Sequence, residues 1–595
     1  MRVKCLAFVT WLLVSPLILA QQTPAPVLFF SDLTEGPSSN NSDPTYNTNG
    51  GAYVTLYGNF LSSPTVTLNG ASCLTIVSPP AAWLWYQRMV VQLKSTCTSG
   101  NFVVATSSGS SNALPFAVNS APIYYVSTAG NDGNSGTFAS PWKTIPSSVQ
   151  SAGAHPGSII YAENGVSATA DDGQGWSAAL TLREEWCQGT SNAPTALVAY
   201  PGASVQIGPS SPSTNPGYGL RSTDSSAGGG ACAGNWIIAG MNLRGVEPVL
   251  VGGGNSWRWV GNDITNPQGT NMGQDGAFET SEATNTVFYG NNAHDLNGTS
   301  NNSETQGVYF SSDSDGIDMG WNRVYNVTGC RGVQIHSSPI GGNTGLPMYN
   351  ISIHDNEVHD TICDGIIVDT LGPSNGPVSV YNNVVYNAGT GPQNPDGGGI
   401  FSCINVQNTG DNSGTGSGTA EVFNNTTFSC GTNPTSGDAG EDTDLIMNCE
   451  ASAPNLFMHI RNDLAYSVTT SVWPKGVPYF VLGCNSGQLY GTNNLGFGAG
   501  APAAISSITG TVTVNPGVVS TSTPDLHLAS ASSPAIGAGT SISVTPYGVN
   551  WTGRDHDGLV RPSPPSIGAY EFAAGQPSTG SSAPNPPTDL TVVSH

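Results

Sequence analysis

The chain has 595 residues, 75 of them Gly and 42 Pro, with 15 Lys+Arg against 39 Asp+Glu and a formal charge of −24. So little charge and so much Gly exclude long solvated helices and coiled coils. The acid excess leaves no cationic stripe for phosphates, which excludes nucleic acid as a partner, and it repels polyanionic sugars unless a cation intervenes.

Residues 1–20, MRVKCLAFVTWLLVSPLILA, set Arg2 and Lys4 before an apolar run and read as a secretory signal too short for a membrane span. The expectation is a secreted protein, extracellular or periplasmic, with no membrane partner and monomeric. Of 11 cysteines, Cys5 falls in that signal and leaves an even number. No CxxC or Cys/His cluster occurs, which favours disulfides over thiol-metal sites.

Residues 21–121 alternate short apolar strands with Gly, Ser, Asn and Pro turns (AYVTLYG, PTVTLNG, MVVQLK, NFVVATS, LPFAV), the pattern of a small β-sandwich. GGAYVTLYGNFLSSPTVTLNG and GNFVVATSSGSSNALPFAV resemble an IPT/TIG immunoglobulin-like domain, which implies an accessory module that Cys73 and Cys97 could staple. Trp83, Trp85 and Tyr86 form either a sugar-stacking patch or, more ordinarily, an inter-domain contact.

From residue 122 the text changes. IYYVSTAGNDGNSGTFASPWKTIPSSV gives a strand, a turn cluster and a short capping helix, and resembles the start of secreted right-handed parallel β-helix proteins of the pectate-lyase-like superfamily. A phrase then recurs: NDITN at 262–266, NNAHD at 291–295, NRVYN at 322–326, NEVHD at 356–360 and NVVYN at 383–387, with looser copies from Asn425 and Asn462. Repeats of about thirty residues without helical periodicity fit coils of a β-solenoid, with Asn stacked as an amide ladder. The expected fold is therefore all-β: an immunoglobulin-like sandwich, then a right-handed, single-stranded parallel β-helix over 122–575. Residues 525–571 resemble the closing segment of bacterial secreted β-helices and should cover the last rung, and 576–595 read as a Pro/Ser/Gly-rich linker. Coil-length spacing could bring Cys330 to Cys363, Cys403 to Cys430 and Cys449 to Cys484, with Cys187 and Cys232 as a last pair, although sequence alone does not fix the connectivity.

A second phrase follows the first: DGAFET, QGVYFS, RGVQIH, DGIIVD and GGIFSC. Stacking its Gly positions (276, 307, 332, 365, 399) puts Asp275, Gln306, Arg331, Asp364 and Gly398 in one column. Phe278, Tyr309, Gln334, Ile367 and Phe401 form a second, and Thr280, Ser311, His336, Asp369 and Cys403 a third. Parallel strands lie ~4.8 Å apart, so His336 should neighbour Asp369, and Arg331 should neighbour Asp364. These four are the candidate catalytic residues on an exposed outer face, with Gln306, Tyr309 and Gln334 as substrate-binding residues; ordinary cross-rung pairing is the alternative.

Asp313, Asp315 and Asp318 in SSDSDGIDMG could supply the oxygen ligands Ca²⁺ prefers. The segment is similar to the Asp-Asp-Gly-aromatic-Asp calcium motif of family 9 pectate lyases, with Ser314 and Ile317 as departures. The resemblance implies Ca²⁺-assisted β-elimination of an extracellular or plant-cell-wall polysaccharide. No Lys lies between Lys143 and Lys475, so the family's catalytic Lys has no counterpart in the central rungs and Arg331 or His336 must act. Glycoside hydrolysis by Asp364 with Asp369, or Asp369 with Asp396, is the second reading, and a non-catalytic glycan-binding or adhesive protein the third.

Overall fold

The structure, a computed structural model, describes residues 24–60, 63–152, 155–211, 215–223, 231–266, 276–297, 305–337, 346–390, 401–408, 416–431, 443–449, 453–467, 479–482, 487–498 and 507–572. The signal at 1–20, Asp275, Asp396, Gly398, Gly399, Cys484 and the 576–595 linker lie outside them.

The five-residue phrase encodes most of the architecture. Its first position is the ladder: Asn262 Nδ2 donates to Asn291 Oδ1 at 2.9 Å, and the chain continues through Asn322, Asn356, Asn383 and Asn425 at 2.9–3.1 Å. The second Nδ2 hydrogen caps a strand carbonyl of the preceding coil, as at Ile238, Trp259 and Phe288, so each buried amide is satisfied. The residue before each ladder Asn turns the corner at positive φ: Gly261, Gly290, Trp321, Asp355, Asn382 and Asn424. Position three points inward as Ala293, Val324, Val358 and Val385. Position four stacks outside as His294, Tyr325, His359 and Tyr386, with centroids 5.2, 5.0 and 4.5 Å apart. Position five is again left-handed (Asp295, Asn326, Asp360, Asn387), which is why Asp and Asn close the phrase. The last loose copy is one residue out: Asn462 makes the corner, and Asp463 takes the ladder place.

Successive coils stack into three parallel sheets of 13, 11 and 10 strands among the described residues, giving a right-handed parallel β-helix. The first sheet runs from Ile123–Val126 to Ile508–Thr509, the second from Ser167–Ala168 to Leu495–Gly498, and the third from Ala178–Leu182 to Tyr479–Leu482. Their inward side chains form one continuous core, for example Ile238, Trp259, Phe288, Met319, Ile353 and Val380 from the first sheet. The helix Ile145–Ala152 closes the N-terminal mouth: Ser147 N bonds the Thr144 hydroxyl at its start, and Ile145 and Val149, one turn apart, are fully buried in that core. Cys187–Cys232, Cys330–Cys363 and Cys403–Cys430 tie neighbouring coils, and Cys73–Cys97 ties the N-terminal module. No described helix is long and apolar enough to cross a membrane.

Residues 27–119 form two small, mainly antiparallel sheets, one ordered Val27–Ser31, Tyr53–Asn59, Tyr86–Leu93, Leu74–Trp83. They pack on the outside of the first sheet, where Phe29, Phe30, Tyr57 and Tyr86 meet Tyr161, Tyr289, Trp321 and Tyr381 in a shared apolar cluster. Trp83 Nε1 donates to Gly290 O (2.9 Å), Tyr86 OH to Trp321 O (2.8 Å), and Trp85 stacks on His556. The aromatic trio is thus an inter-domain contact.

The closing segment departs from expectation. Its described contacts run back along the solenoid flank: Leu526, Ala569 and Tyr570 cover Val384, Tyr386 and Phe428, while Leu528 and Ile567 cover Leu464 and Leu495. Further back, Val549 N bonds Asp318 Oδ2 at 2.8 Å and Trp551 packs against Trp321. Apolar residues on the outside of the second sheet require this cover as much as any terminal edge does.

Candidate active site on the third sheet

Glycines set the corner into the third sheet. A Cβ on Gly307, Gly332 or Gly365 would meet Val324, Val358 or Val385 of the second sheet at 2.9, 2.7 and 2.4 Å, so the corner closes only over hydrogen. That contact fixes the register: Gln306 pairs with Arg331, Tyr309 with Gln334, Gln334 in turn with Ile367, and Ser311 with His336. The stacked Gly register fails at both ends. Gly276 pairs with Gln306 rather than Gly307, so Glu279 is the residue beside Tyr309. Ile366 pairs with Ile404, a shift of four, which places Asn405 beside Ile367. The physical reason at the second break is Cys403: it occupies the corner place, and its buried sulfur bonds Cys430. Phe401 and Cys403 therefore leave the outer columns, and Ser402, Asn405 and Gln407 enter.

Within these coils the expected neighbours come together. His336 Nε2 lies 3.8 Å from Asp369 Oδ2, and Arg331 Nε 3.9 Å from Asp364 Oδ2. Gln334 Oε1 accepts from Gln306 Nε2 (2.6 Å) and Arg331 Nη1 (3.0 Å). Asp364 Oδ1 accepts from Ser402 N at 2.8 Å and its hydroxyl at 3.2 Å, with Asn405 Nδ2 at 3.5 Å. Burial pushes the Asp364 carboxyl up to about 6, although Arg331 and these donors pull it down. Gln306 Oε1, Arg331 Nε and Asn405 Oδ1 are buried and have no hydrogen-bond partner among the described residues.

The face is outer but enclosed, in contrast to the exposed surface expected. Gln306, Tyr309, Gln334, Asp364 and Asp369 are buried, and only Arg331 and His336 keep partial side-chain exposure of 18% and 17%. Charges in such a setting interact more strongly than in water. Asp364 and Asp369 stand five residues apart along one extended run, on the order of 15 Å at ~3.3 Å per residue. That exceeds the ~5–9.5 Å separations of glycosidase carboxyl pairs, so this pair does not fit hydrolysis.

The three calcium candidates divide. Asp318 lies on the first sheet, in Ile317–Gly320, where its carboxylate takes His354 Nε2 at 3.0 Å, Val549 N at 2.8 Å and the Tyr289 hydroxyl. It is buried and does not join the other two, because the IDMG segment is a ladder-sheet strand. Asp313 and Asp315 share the turn after Ser311, beside the His336 end of the third sheet. Asp313 Oδ1 accepts from the Ser337 hydroxyl (2.9 Å) and Leu346 N (2.7 Å), and Asp315 Oδ1 from Tyr349 N (2.9 Å). Burial, with Asp313 nearby, pushes Asp315 up to about 6. Among the described residues no group of three or more His, Cys, Asp or Glu side chains is arranged to hold a metal. The two turn carboxylates nonetheless offer hard oxygen donors of the type Ca²⁺ takes.

Sequence reasoning missed Glu279, Ser402 and Asn405, which the two register breaks hide. No family model matches the sequence, and no curated protein matches it. Among solved structures the chain is similar to pectate lyase Pel9A (16% identity, TM-score 0.43, covering 76% of this chain and 97% of that one). It is also similar to XylC in complex with xylose (10%, 0.41, 77% and 99%) and to a rhamnogalacturonan lyase (14%, 0.31, 63% and 87%).

Proposed function

We propose that the protein is a secreted enzyme that binds an extracellular polysaccharide along the outside of the third sheet and cleaves it by cation-assisted β-elimination. The observation that carries this reading is a row of two cross-coil pairs on adjacent coils, Arg331–Asp364 and His336–Asp369, set on the order of 15 Å apart along one outer face, with buried polar atoms left unpartnered beside the first pair. Unpartnered buried donors and acceptors cost roughly 1–3 kcal/mol each unless a ligand or water completes them.

In this reading His336 takes the proton beside the uronate carboxyl, the glycosidic C–O bond at the next ring carbon breaks as the C=C bond forms, and the leaving oxygen takes a proton from water, with Asp369 holding the imidazole in orientation and supporting the charge it gains. Arg331, braced by Gln334 at the other end of the strand, directs its guanidinium at the carboxylate of another sugar unit of the same chain. Asp313 and Asp315 would hold Ca²⁺, which when bound offsets the acid charge of both protein and substrate and lowers the barrier to carbanion formation. Four disulfides among the described residues accord with an oxidising, extracytoplasmic setting.

Hydrolysis is the second reading, and Asp364 favours it: a carboxyl titrating at about 6 suits a general acid, though its partner would be a residue other than Asp369. Incubation with polygalacturonate, alginate and neutral glucans, with and without chelator, separates the readings. Unsaturated ends absorbing in the ultraviolet, lost on chelation and in a folded His336→Ala variant, are the expected result. Reducing ends without that absorbance would replace elimination by hydrolysis, and binding without cleavage would make the protein a glycan-binding one.

A further inference from the structure

The outer column that holds Tyr309 and Gln334 extends N-terminally through Glu279 and Leu250 to Arg221. Arg221 sits in Tyr218–Ser222, four strands before Arg331–His336, or ~19 Å at ~4.8 Å per strand. Its guanidinium carbon lies 4.7 Å from the ring centroid of Trp176 and 4.7 Å from that of Tyr218. The two rings hold the cation by their faces and leave its N–H edges unblocked by them. Among the described residues no carboxylate or carbonyl takes those hydrogens, and the buried Nε has no hydrogen-bond partner. The contrast is with Arg183 nearby, which is committed to Gln174 (3.0 Å) and Glu185 (2.9 Å). The one acid between, Glu279, has its oxygens on Gly276 N and the Ser311 hydroxyl.

We infer that Trp176, Tyr218 and Arg221 form a remote subsite that anchors the carboxylate of an acidic sugar at the N-terminal end of the same outer face, four coils from the reacting residues. The inference rests on reading the third sheet as the glycan-binding face, and it narrows the substrate to a chain carrying uronates. A planar guanidinium fixed between rings has lost its conformational freedom before the ligand arrives, so a bidentate pair with a carboxylate forms at little further entropic cost. In a protein of charge −24, a fixed cation on the outer face of this sheet is what would hold one end of a polyanion in register.

The test uses the full chain and the variant Arg221→Met, which keeps an unbranched stem between the rings and removes the charge; Trp176→Ala is the second variant. Affinity electrophoresis and calorimetry are run with polygalacturonate, alginate and neutral xylan, beside thermal melts as a folding control. The expected result is about tenfold weaker binding of polyuronates with unchanged melts and unchanged binding of xylan. With oligouronates, long chains lose affinity and dimers do not. Equal binding by wild type and Arg221→Met, equal losses on acidic and neutral chains, or no polyuronate binding by the wild type would each overturn the subsite. Binding that depends on Arg221 without any cleavage would sustain it while overturning the proposed elimination.

Discussion

The outer faces of the first and third sheets are built on the same coils yet hold opposite chemistry. On the first, Tyr125, Tyr161, Val198, Ala239, Val260 and Tyr289 succeed one another in register and are buried under the sandwich and the returning C-terminal segment. Its charged members are neutralised: His354 is fixed between Asp318 (3.0 Å) and Asp355 (2.8 Å). On the third, Gln306, Arg331, Gln334, Asp364 and Asn405 form a polar set whose hydrogen bonds do not close. A solenoid gives every sheet equal backbone satisfaction, so the difference is carried by side chains alone. One face serves cohesion, and the other retains unfilled valences.

The largest expected effect tests cohesion. Trp321 is fully buried between Phe29, Phe30, Tyr289 and Trp551, with centroids 5.1–5.7 Å away. Trp321→Ala should cost about 3–5 kcal/mol in chemical denaturation. A loss below ~1 kcal/mol would mean the sandwich rests on the helix without stabilising it.

Next comes the frame both faces share. At every other described ladder place from Asn262 to Asn494, an Asn Nδ2 donates to a strand carbonyl, which a carboxylate at Asp463 does only when protonated. Burial pushes Asp463 up to about 7, against the opposing pull of the Asn425 donors. A carboxyl raised above its unfolded value supplies stability below pH ~4 that is lost as pH rises through about 7. Asp463→Asn should therefore stabilise the protein by up to ~4 kcal/mol at pH 8 and by little at pH 4. Equal melting shifts at both pH values would refute the ladder account.

His354 tests the neutralised charges. Burial lowers its pKa, but Asp318 and Asp355 overcome this and hold it at about 9. Its contribution, ~3 kcal/mol, is present below pH ~6.5 and disappears as pH rises through about 9. His354→Gln should flatten the stability profile between pH 7 and 9, and an unchanged slope there would place the alkaline loss elsewhere.

The coil repeat was legible because one residue type answers one physical demand at each phrase position, as Asn does in the ladder and Gly at the corner over Val358. The register of the candidate site was legible where that held: Gln306, Arg331, Tyr309, Gln334 and His336 pair as expected, and Asp364 lies beside Arg331. It failed at Cys403, where an inward sulfur replaces the corner Gly, and at Gly276, where the nearby atoms are Phe278 O and Tyr309 Cβ rather than a Val. The docking of the sandwich and the return of residues 525–572 carry no periodicity. Their one readable sign was first-sheet strands apolar on both faces, such as Trp236–Ala239, since alternation disappears when both sides are covered.

The smallest effect belongs to Asp364, and it discriminates most sharply between the two faces. Its raised value of about 6 arises from burial that Arg331, 3.9 Å away, only partly offsets. Stability from this group is present below pH ~4 and lost as pH rises through about 6, so at neutral pH the ionised carboxylate destabilises the fold by ~2–3 kcal/mol. Asp364→Asn keeps the shape, removes the charge and should raise the melting temperature at pH 7 while leaving it unchanged at pH 4. A structural ion pair behaves the other way, since losing one partner strands the other. A more stable variant with polysaccharide cleavage reduced by two orders of magnitude or more would mark this charge as retained for chemistry at the expense of the fold. A less stable variant with full activity would make Arg331 and Asp364 an ordinary cross-coil pair, and the third face would then differ from the first only in what covers it.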